Sequence, residues 1–177
     1  MNRRTQKIAA TKQREVALPG VQIRLAQPDD AAIVATVLLQ SFAEFKPLYT
    51  REAFAATTPH AAQVLARMRE GPVWLAFRNT DVLGTVAAVL NGESAYIRGM
   101  AVLPAARRLK VGRRLLEHIE GWASQEGCNR MFLSTTPFLH AAIRLYEKFG
   151  FLRTDEGSHD LFGTPLFTME KALPRVK

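Results

Sequence analysis

Five basic side chains lie close together at the start of an amphipathic helix. They are Arg107, Arg108, Lys110, Arg113 and Arg114. The N-terminus of a helix presents free N–H groups and the positive end of the helix dipole, so it repels cations and attracts anions. This placement predicts a site for phosphate, to which both the side chains and the backbone would bind. A solvated basic face without a ligand is the alternative for a short cluster of this kind.

The distribution of charge along the chain also favours a local anion site. The net charge is +8, of which residues 1–14 contribute +5 and residues 98–114 contribute +6, so the rest of the chain is mildly acidic. An extended nucleic-acid surface would spread its basic residues over one face of the domain. We therefore expect no nucleic-acid partner. An RNA- or ribosome-associated module that uses the basic N-terminal residues is the alternative.

Length and composition set the domain organisation. Residues 1–18 form a basic tail without periodicity, which we expect to be disordered, and residues 19–177 are long enough for one domain. The lone Cys128 suits a reducing compartment and argues against a thiolate metal site. The longest apolar run, residues 31–39, is shorter than the roughly 20 residues of a membrane span. We expect a cytoplasmic protein with no metal and no membrane partner, and a homodimer is left open.

Hydrophobic patterns predict a mixed framework of helices and strands in the N-terminal half. Residues 21–26 alternate like a strand, and Pro28 with two aspartates then begins a helix. A second helical region has its best-marked part from Thr58–Pro59 to Gly71–Pro72. Short polar turns then separate three strands, which predicts an antiparallel meander. These strands are predicted at residues 73–77, 82–90 and 95–103.

The basic cluster follows this meander and leads into a helix that Gly127 ends. A buried strand at 131–135 and a helix closed by Gly150 come next. Two final strands are predicted around a flexible segment at residues 156–165. The centre of the chain is therefore strand, basic turn, helix, strand, helix.

Two segments of this central region resemble the GNAT superfamily of N-acetyltransferases. "IRGMAVLPAARRLKVGRRLLEHIEGWA" is similar to the acetyl-CoA-binding signature, whose Q/R-x-x-G-x-G/A loop falls on Arg107–Gly112. "AAIRLYEKFGF", residues 141–151, is similar to the later motif with its Leu-Tyr pair and closing Gly-Phe. There are two departures: Lys110 replaces the first glycine of the loop, and Leu139 replaces an asparagine before the second motif.

The resemblance implies a fold and a cosubstrate. The fold is α+β in α/β/α layers, with a mixed, mostly antiparallel central sheet and helices on both faces. The cosubstrate is acetyl-CoA, whose pyrophosphate the loop would bind, and no metal is implied. Backbone groups of the preceding strand would contact the pantetheine arm and the acetyl oxygen. The implied acetyl-CoA-binding residues are Met100, Ala101, Val102, Arg107, Arg108, Leu109, Lys110, Val111, Gly112 and Arg113.

The resemblance also implies direct attack of a primary amine on the thioester in a ternary complex. The tyrosine of the Leu-Tyr pair, Tyr146, would be the general acid for the departing thiolate, and a core aromatic is its alternative role. Glu93 and His140 are open as general base. The acceptor, a small molecule or a protein N-terminus, is open too, as is a domain that binds CoA as a sensor without turnover. Candidate acceptor-side residues are Phe42, Phe45 and Tyr49.

Overall fold

The computed structural model describes residues 20–157 and 159–174. The predicted tail, residues 1–18, lies outside the described residues. The helices are α1 (Ala31–Phe42), α2 (Arg51–Thr57), α3 (Ala61–Met68), α4 (Val111–Gln125) and α5 (His140–Phe149), with 3-10 turns at Pro28–Asp30, Ala43–Leu48 and Pro104–Ala106. The strands are β1 (Gln22–Leu25), β2 (Val73–Arg78), β3 (Asp81–Asn91), β4 (Ser94–Val102), β5 (Arg130–Thr135), β6 (Leu152–Thr154), β7 (Asp160–Leu161), β8 (Thr164–Pro165) and β9 (Phe167–Ala172).

Seven strands form one sheet in the order β1-β2-β3-β4-β5-β9-β6. Adjacent strands are antiparallel except for β4 and β5, which are parallel. This confirms the predicted mixed, mostly antiparallel sheet and its N-terminal meander. The segment predicted to be flexible, residues 156–165, contains a short hairpin in which β7 pairs with β8.

Both faces of the sheet carry helices, as predicted, because apolar residues occupy both sides of the central strands. On β2, Trp74 and Ala76 join a core with α4 and α5, while Val73 and Leu75 join a second core with α1 and α3. Successive side chains of a strand point to opposite faces, so one apolar run serves both cores. The strands are thereby fixed between two layers of helices.

Helix α1 is the centre of an apolar stretch, Pro28–Leu48, that by length and composition alone is able to cross a membrane. The stretch is divided into a 3-10 turn, α1 and a second 3-10 turn. Val34, Val37 and Leu38 are each only 3% exposed because they pack on the second core. A core helix of this kind passes the same test of length and composition.

Helix α4 is fixed on the sheet by an apolar stripe. Leu115, Leu116 and Ile119 are completely buried, and full burial of such side chains stabilises a fold by about 1.5–3 kcal/mol each. After the helix ends, the Cys128 N–H donates to the Ala123 carbonyl at 2.9 Å, and Gly127 adopts φ +77°. The glycine terminates the helix as predicted. The basic N-terminus of α4 therefore has a defined position at the end of β4.

Candidate functional site

Strands β4 and β5 separate next to the start of α4. Their parallel pairing runs from Ser94–Arg130 to Ile97–Leu133 and ends there, although β4 continues to Val102 and β5 to Thr135. A bulge on β4 accompanies the separation, because Gly99 (φ +56°) and Met100 together lie opposite a single residue of β3. Bulges bend the strand that carries them. The result is a cleft between two strands of one sheet.

The strand residues implied in cosubstrate binding lie along this cleft. Ala101 is buried in the α1 and α3 core, and Met100 and Val102 pack under the first turn of α4. Their side chains are thus used in packing, so only their backbone groups are left for a ligand. This agrees with the main-chain role that the family resemblance implies.

The loop before α4 leaves its backbone N–H groups without acceptors. Within residues 20–157 and 159–174, no acceptor is found for the amides of Lys110, Val111, Gly112 and Arg113, and the first helical bond is from Arg114 N–H to the Lys110 carbonyl at 3.1 Å. Val111 and Leu109 anchor the loop with apolar side chains, since both pack on the α4 and α5 core. Four free N–H groups at a helix start form a site for an anion.

Lys110 occupies the position where the family loop has its first glycine, and it has φ +58° and ψ +20°. A non-glycine residue in this left-handed region costs about 1–2 kcal/mol. Replacing Lys110 with glycine should therefore raise the free energy of unfolding by about 1 kcal/mol, measured by chemical denaturation. Asn79→Gly is a matched control at φ +57°, where the gain should be smaller because asparagine tolerates this conformation. An unchanged or reduced stability of Lys110→Gly would show that the backbone at Lys110 is not strained.

Gly112 is required by packing as well as by the loop. A Cβ atom on Gly112 would lie 2.7 Å from Leu145 Cδ2 and 3.4 Å from Met100 Cε. Helix α5 therefore approaches the first turn of α4 closely, and this approach brings the two motifs of the sequence together. Sequence analysis had assigned this glycine only to acetyl-CoA binding.

The basic side chains around the loop have different partners. Arg107 forms an ion pair with Glu44 and donates to the Ser41 carbonyl at 3.2 Å, so it links the loop to the end of α1. Arg113 pairs with Glu117 at 2.9 Å. Arg108 and Lys110 are exposed and have no carboxylate partner in the described part of the chain. These two are the cations best placed to bind a phosphate beside the free amides.

Tyr146 lies on α5 and is 7% exposed within the α4 and α5 core, where its ring centroid is 5.9 Å from that of Phe151. Burial raises the pKa of the phenol strongly, and the nearby Tyr49 raises it further. The hydroxyl has no hydrogen-bond partner among the described residues. The tyrosine thus combines a core ring with an unused hydroxyl group.

The structure brings together two of the three residues that were predicted for the acceptor side. Phe45 and Tyr49 both contact Phe138, with ring centroids 6.4 and 4.9 Å apart. Phe42 instead packs against the α1 and α3 core, because it lies on the inner side of α1. Sequence reasoning missed Phe138, which follows β5 and has no local signal for this role.

Polar groups near this aromatic cluster were also missed. Thr136, directly after β5, is 2% exposed and its hydroxyl has no hydrogen-bond partner. Burial raises the pKa of Tyr49, and this effect exceeds the opposing ones of the Thr136 and Thr57 hydroxyls beside it. Thr136 is thus a neighbour of the cluster in space, although it lies 87 positions after Tyr49 in the chain.

The hairpin of β7 and β8 is attached to the same region. The Thr50 N–H donates to Thr164 Oγ1 at 2.9 Å, and Thr50 Oγ1 donates to the Phe162 carbonyl at 2.7 Å. Because Thr50 adjoins Tyr49, the hairpin forms one wall beside the aromatic cluster. No sequence pattern indicated this long-range contact.

The two candidate bases occupy different ends of the fold. Glu93 lies in the turn before β4 and accepts a hydrogen bond from Asn129 Nδ2 at 2.7 Å. The bulge of β4 starts six residues later, about 20 Å along a strand. Glu93 is therefore too far from the cleft to contact an amine there. His140 is exposed at the start of α5 and remains a candidate.

Among residues 20–157 and 159–174 no cluster of three or more His, Cys, Asp or Glu side chains is suited to a metal ion. Cys128 is buried, and burial raises the pKa of its thiol. A thiol of this kind is a poor nucleophile, because the thiolate is the reactive form.

Comparisons with known proteins agree with this geometry. The sequence profile described as "Acetyltransferase (GNAT) family" matches residues 36–151. An IAA acetyltransferase of Azospirillum brasilense is 31% identical over 161 residues, which cover 88% of this chain and 100% of that protein. The PaiA N-acetyltransferase of Thermoplasma acidophilum in complex with coenzyme A has a TM-score of 0.75 at 18% identity, covering 87% of this chain and 99% of that one. YncA of Salmonella typhimurium, a putative acetyltransferase with acetyl-CoA, has a TM-score of 0.66 at 22% identity, covering 88% of this chain and 95% of that one.

The two structures share the fold of this chain, and the profile and the curated relative extend over most of its sequence. The chain therefore belongs to the acetyltransferase (GNAT) family and is an acetyltransferase.

Proposed function

We propose that this protein transfers the acetyl group of acetyl-CoA to a primary amine by direct attack in a ternary complex, with Tyr146 as general acid. The observation that carries the proposal is the loop before α4, where four free amides lie beside two unpaired cations. Coenzyme A is a polyanion, and a helix start of this kind binds phosphate groups. The residues present thus fit the pyrophosphate of the cosubstrate.

The thioester would lie in the cleft between β4 and β5. Backbone groups of Met100, Ala101 and Val102 lie on the β4 side, beyond the last strand pair at Ile97–Leu133. A backbone N–H at this edge would bind the acetyl oxygen as negative charge develops on it. The strands are held by both cores, so this donor is positioned before the reaction begins.

The reaction needs few groups from the protein. The nitrogen of a neutral amine forms a bond with the carbonyl carbon, the carbon–sulfur bond breaks, and the amine loses a proton. Tyr146 would donate its proton, or a hydrogen bond, to the departing sulfur. His140 or water would accept the proton of the amine. Phe45, Tyr49 and Phe138 would bind the apolar part of the acceptor.

Calorimetry with acetyl-CoA, followed by an assay of free thiol with a panel of amines, tests this function. Binding together with amine-dependent thiol release is the expected result. Binding with no turnover for any amine would favour a CoA sensor. Salt-sensitive RNA binding without acetyl-CoA binding would favour the RNA-associated module, whose binding should survive a mutation of Arg107 and disappear when residues 1–14 are deleted.

Deletion of residues 1–14 should leave the enzyme unchanged. We expect the same Tm and the same Kd for acetyl-CoA, because a polar segment without periodicity contributes little burial. Thermal unfolding and calorimetry of the shortened chain measure both quantities. A clear loss of stability would show that the segment packs on the domain, and a weaker Kd would place it at the cosubstrate.

We also propose that the protein is cytoplasmic.

A further inference from the structure

A large trough lies on the face of the sheet opposite α4 and α5, beyond the part that α1 and α3 cover. Its volume is about 490 Å³, which is within the range of small-molecule sites. Tyr96 and Phe132 form its floor, with ring centroids 5.1 Å apart and planes inclined by 28°. These rings face the trough because their chain neighbours on both sides belong to the α4 and α5 core.

One end of the trough lies at the cleft. Ser134 lines the trough and is the first residue of β5 after the last pair with β4, Ile97–Leu133. Glu156 and Gly157, in the loop after β6, form part of its wall. A molecule that reaches the cleft from this face can therefore place its distal part on Tyr96 and Phe132.

The charges in the trough favour a cation. Arg130 pairs with Glu170 at 2.9 Å and with Glu156 at 3.6 Å, so one guanidinium is shared by two carboxylates and one negative charge is in excess. Glu156 is 74% exposed and accessible to a ligand. The Arg130 guanidinium itself lies 5.4 Å from the centroid of the Phe132 ring, so the floor already holds one cation beside an aromatic face. A second cationic group in the trough would be attracted to the exposed carboxylate of Glu156.

Two further cations on this face of the sheet have their hydrogen-bond partners in or near α3. Arg98 donates to Glu70 Oε2 at 2.7 Å, and Arg67 donates to the Ala56 carbonyl at 2.7 Å. Neither side chain lines the trough. The excess carboxylate of the trough is thus not neutralised by a direct contact with either of them.

We propose that this trough binds a second cationic group of the acceptor, so that the acetylated amine belongs to a diamine, a polyamine or a peptide with a basic side chain. The proposal rests on the acetyl transfer described above and specifies its substrate class. The reacting nitrogen is at the cleft, and the second cation lies in the trough beside Glu156.

The test compares kcat/KM for linear diamines of increasing length with the monoamine of each length. A second arm compares a short peptide that contains lysine with the same peptide containing leucine, which distinguishes a small amine from a peptide. We expect the cationic member of at least one set to be preferred. In that set Glu156→Lys should lower kcat/KM by about tenfold. The same substitution should leave kcat/KM for the neutral member, the monoamine or the leucine peptide, unchanged.

Glu126→Lys, the same charge change on an exposed residue after α4, is the control and should have no effect. Equal kcat/KM for the cationic and neutral members, or equal effects of the two variants, would overturn the proposal. Calorimetry with the preferred diamine or peptide separates this result from failure of the proposed function. If the diamine or peptide binds and this binding depends on Glu156, but no amine is acetylated, the trough is a cation site and acetyl transfer is refuted.

Discussion

Replacing Tyr146 with phenylalanine is expected to lower kcat by about 10²-fold while Tm and the Kd for acetyl-CoA stay unchanged. The lower end of the range for general acid catalysis applies, because a thiolate is already a tolerable leaving group. The ring is buried among core residues, and its hydroxyl has no hydrogen-bond partner in the described part of the chain. The substitution therefore retains the packing and removes only the donor. Steady-state kinetics with thermal unfolding and calorimetry measure the three quantities.

The pH dependence of the same variant gives a second readout. Burial raises the pKa of Tyr146, so the phenol stays protonated up to a pH above its ordinary value of about 10. Activity of the wild type should therefore rise as the amine or its base deprotonates, with no falling limb from the phenol below that value. The phenylalanine variant should follow the same rising curve at lower kcat. A variant as active as the wild type across this range would refute the general-acid role and leave Tyr146 as a core residue.

Replacing Lys110 with glutamate is expected to weaken acetyl-CoA binding by about 10- to 100-fold. This is the range for loss of a charge-assisted contact, and repulsion from the introduced carboxylate acts in the same direction. Lys110 is exposed, has no carboxylate partner among the described residues and directly precedes the free amides of α4. The Kd of the wild type should also increase with salt concentration. Calorimetry at two salt concentrations measures both effects.

Arg69→Glu is the matched control for this prediction, because Arg69 is exposed after α3 on the other side of the sheet. It makes the same change in net charge and should leave the Kd nearly unchanged. Equal binding by Lys110→Glu and the wild type would place the phosphate site elsewhere. The Kd for acetyl-CoA should increase less in Arg107→Ala than in Lys110→Glu, because Arg107 is held by Glu44 and the Ser41 carbonyl.

Local patterns were enough to predict the framework of the site. The apolar spacing of Leu115, Leu116 and Ile119 predicts α4, and these residues are fully buried. Gly127 and Gly150 end α4 and α5 with positive φ as expected, because helix ends have strong local preferences. The layered fold and the family were predicted from two motifs, one at the start of α4 and the other in α5.

Contacts between distant segments were beyond the reach of these patterns. Phe138 joins Phe45 and Tyr49 only because the chain returns to the sheet through β5, and periodicity carries no signal for such a contact. The same holds for the link from Thr50 to the hairpin of β7 and β8. The trough was also missed, since Tyr96, Arg130 and Glu156 come from three separate elements.

Mass spectrometry with acetyl-CoA that carries deuterium in the acetyl methyl group tests direct transfer to an amine most directly. The reaction is sampled with the best acceptor of the panel, and both the amine product and the intact protein are weighed. We predict that the label appears on the amine in amounts equal to the free thiol released, while the mass of the protein stays unchanged. Labelled protein formed ahead of the amine product, or thiol release without labelled amine, would contradict direct transfer in a ternary complex.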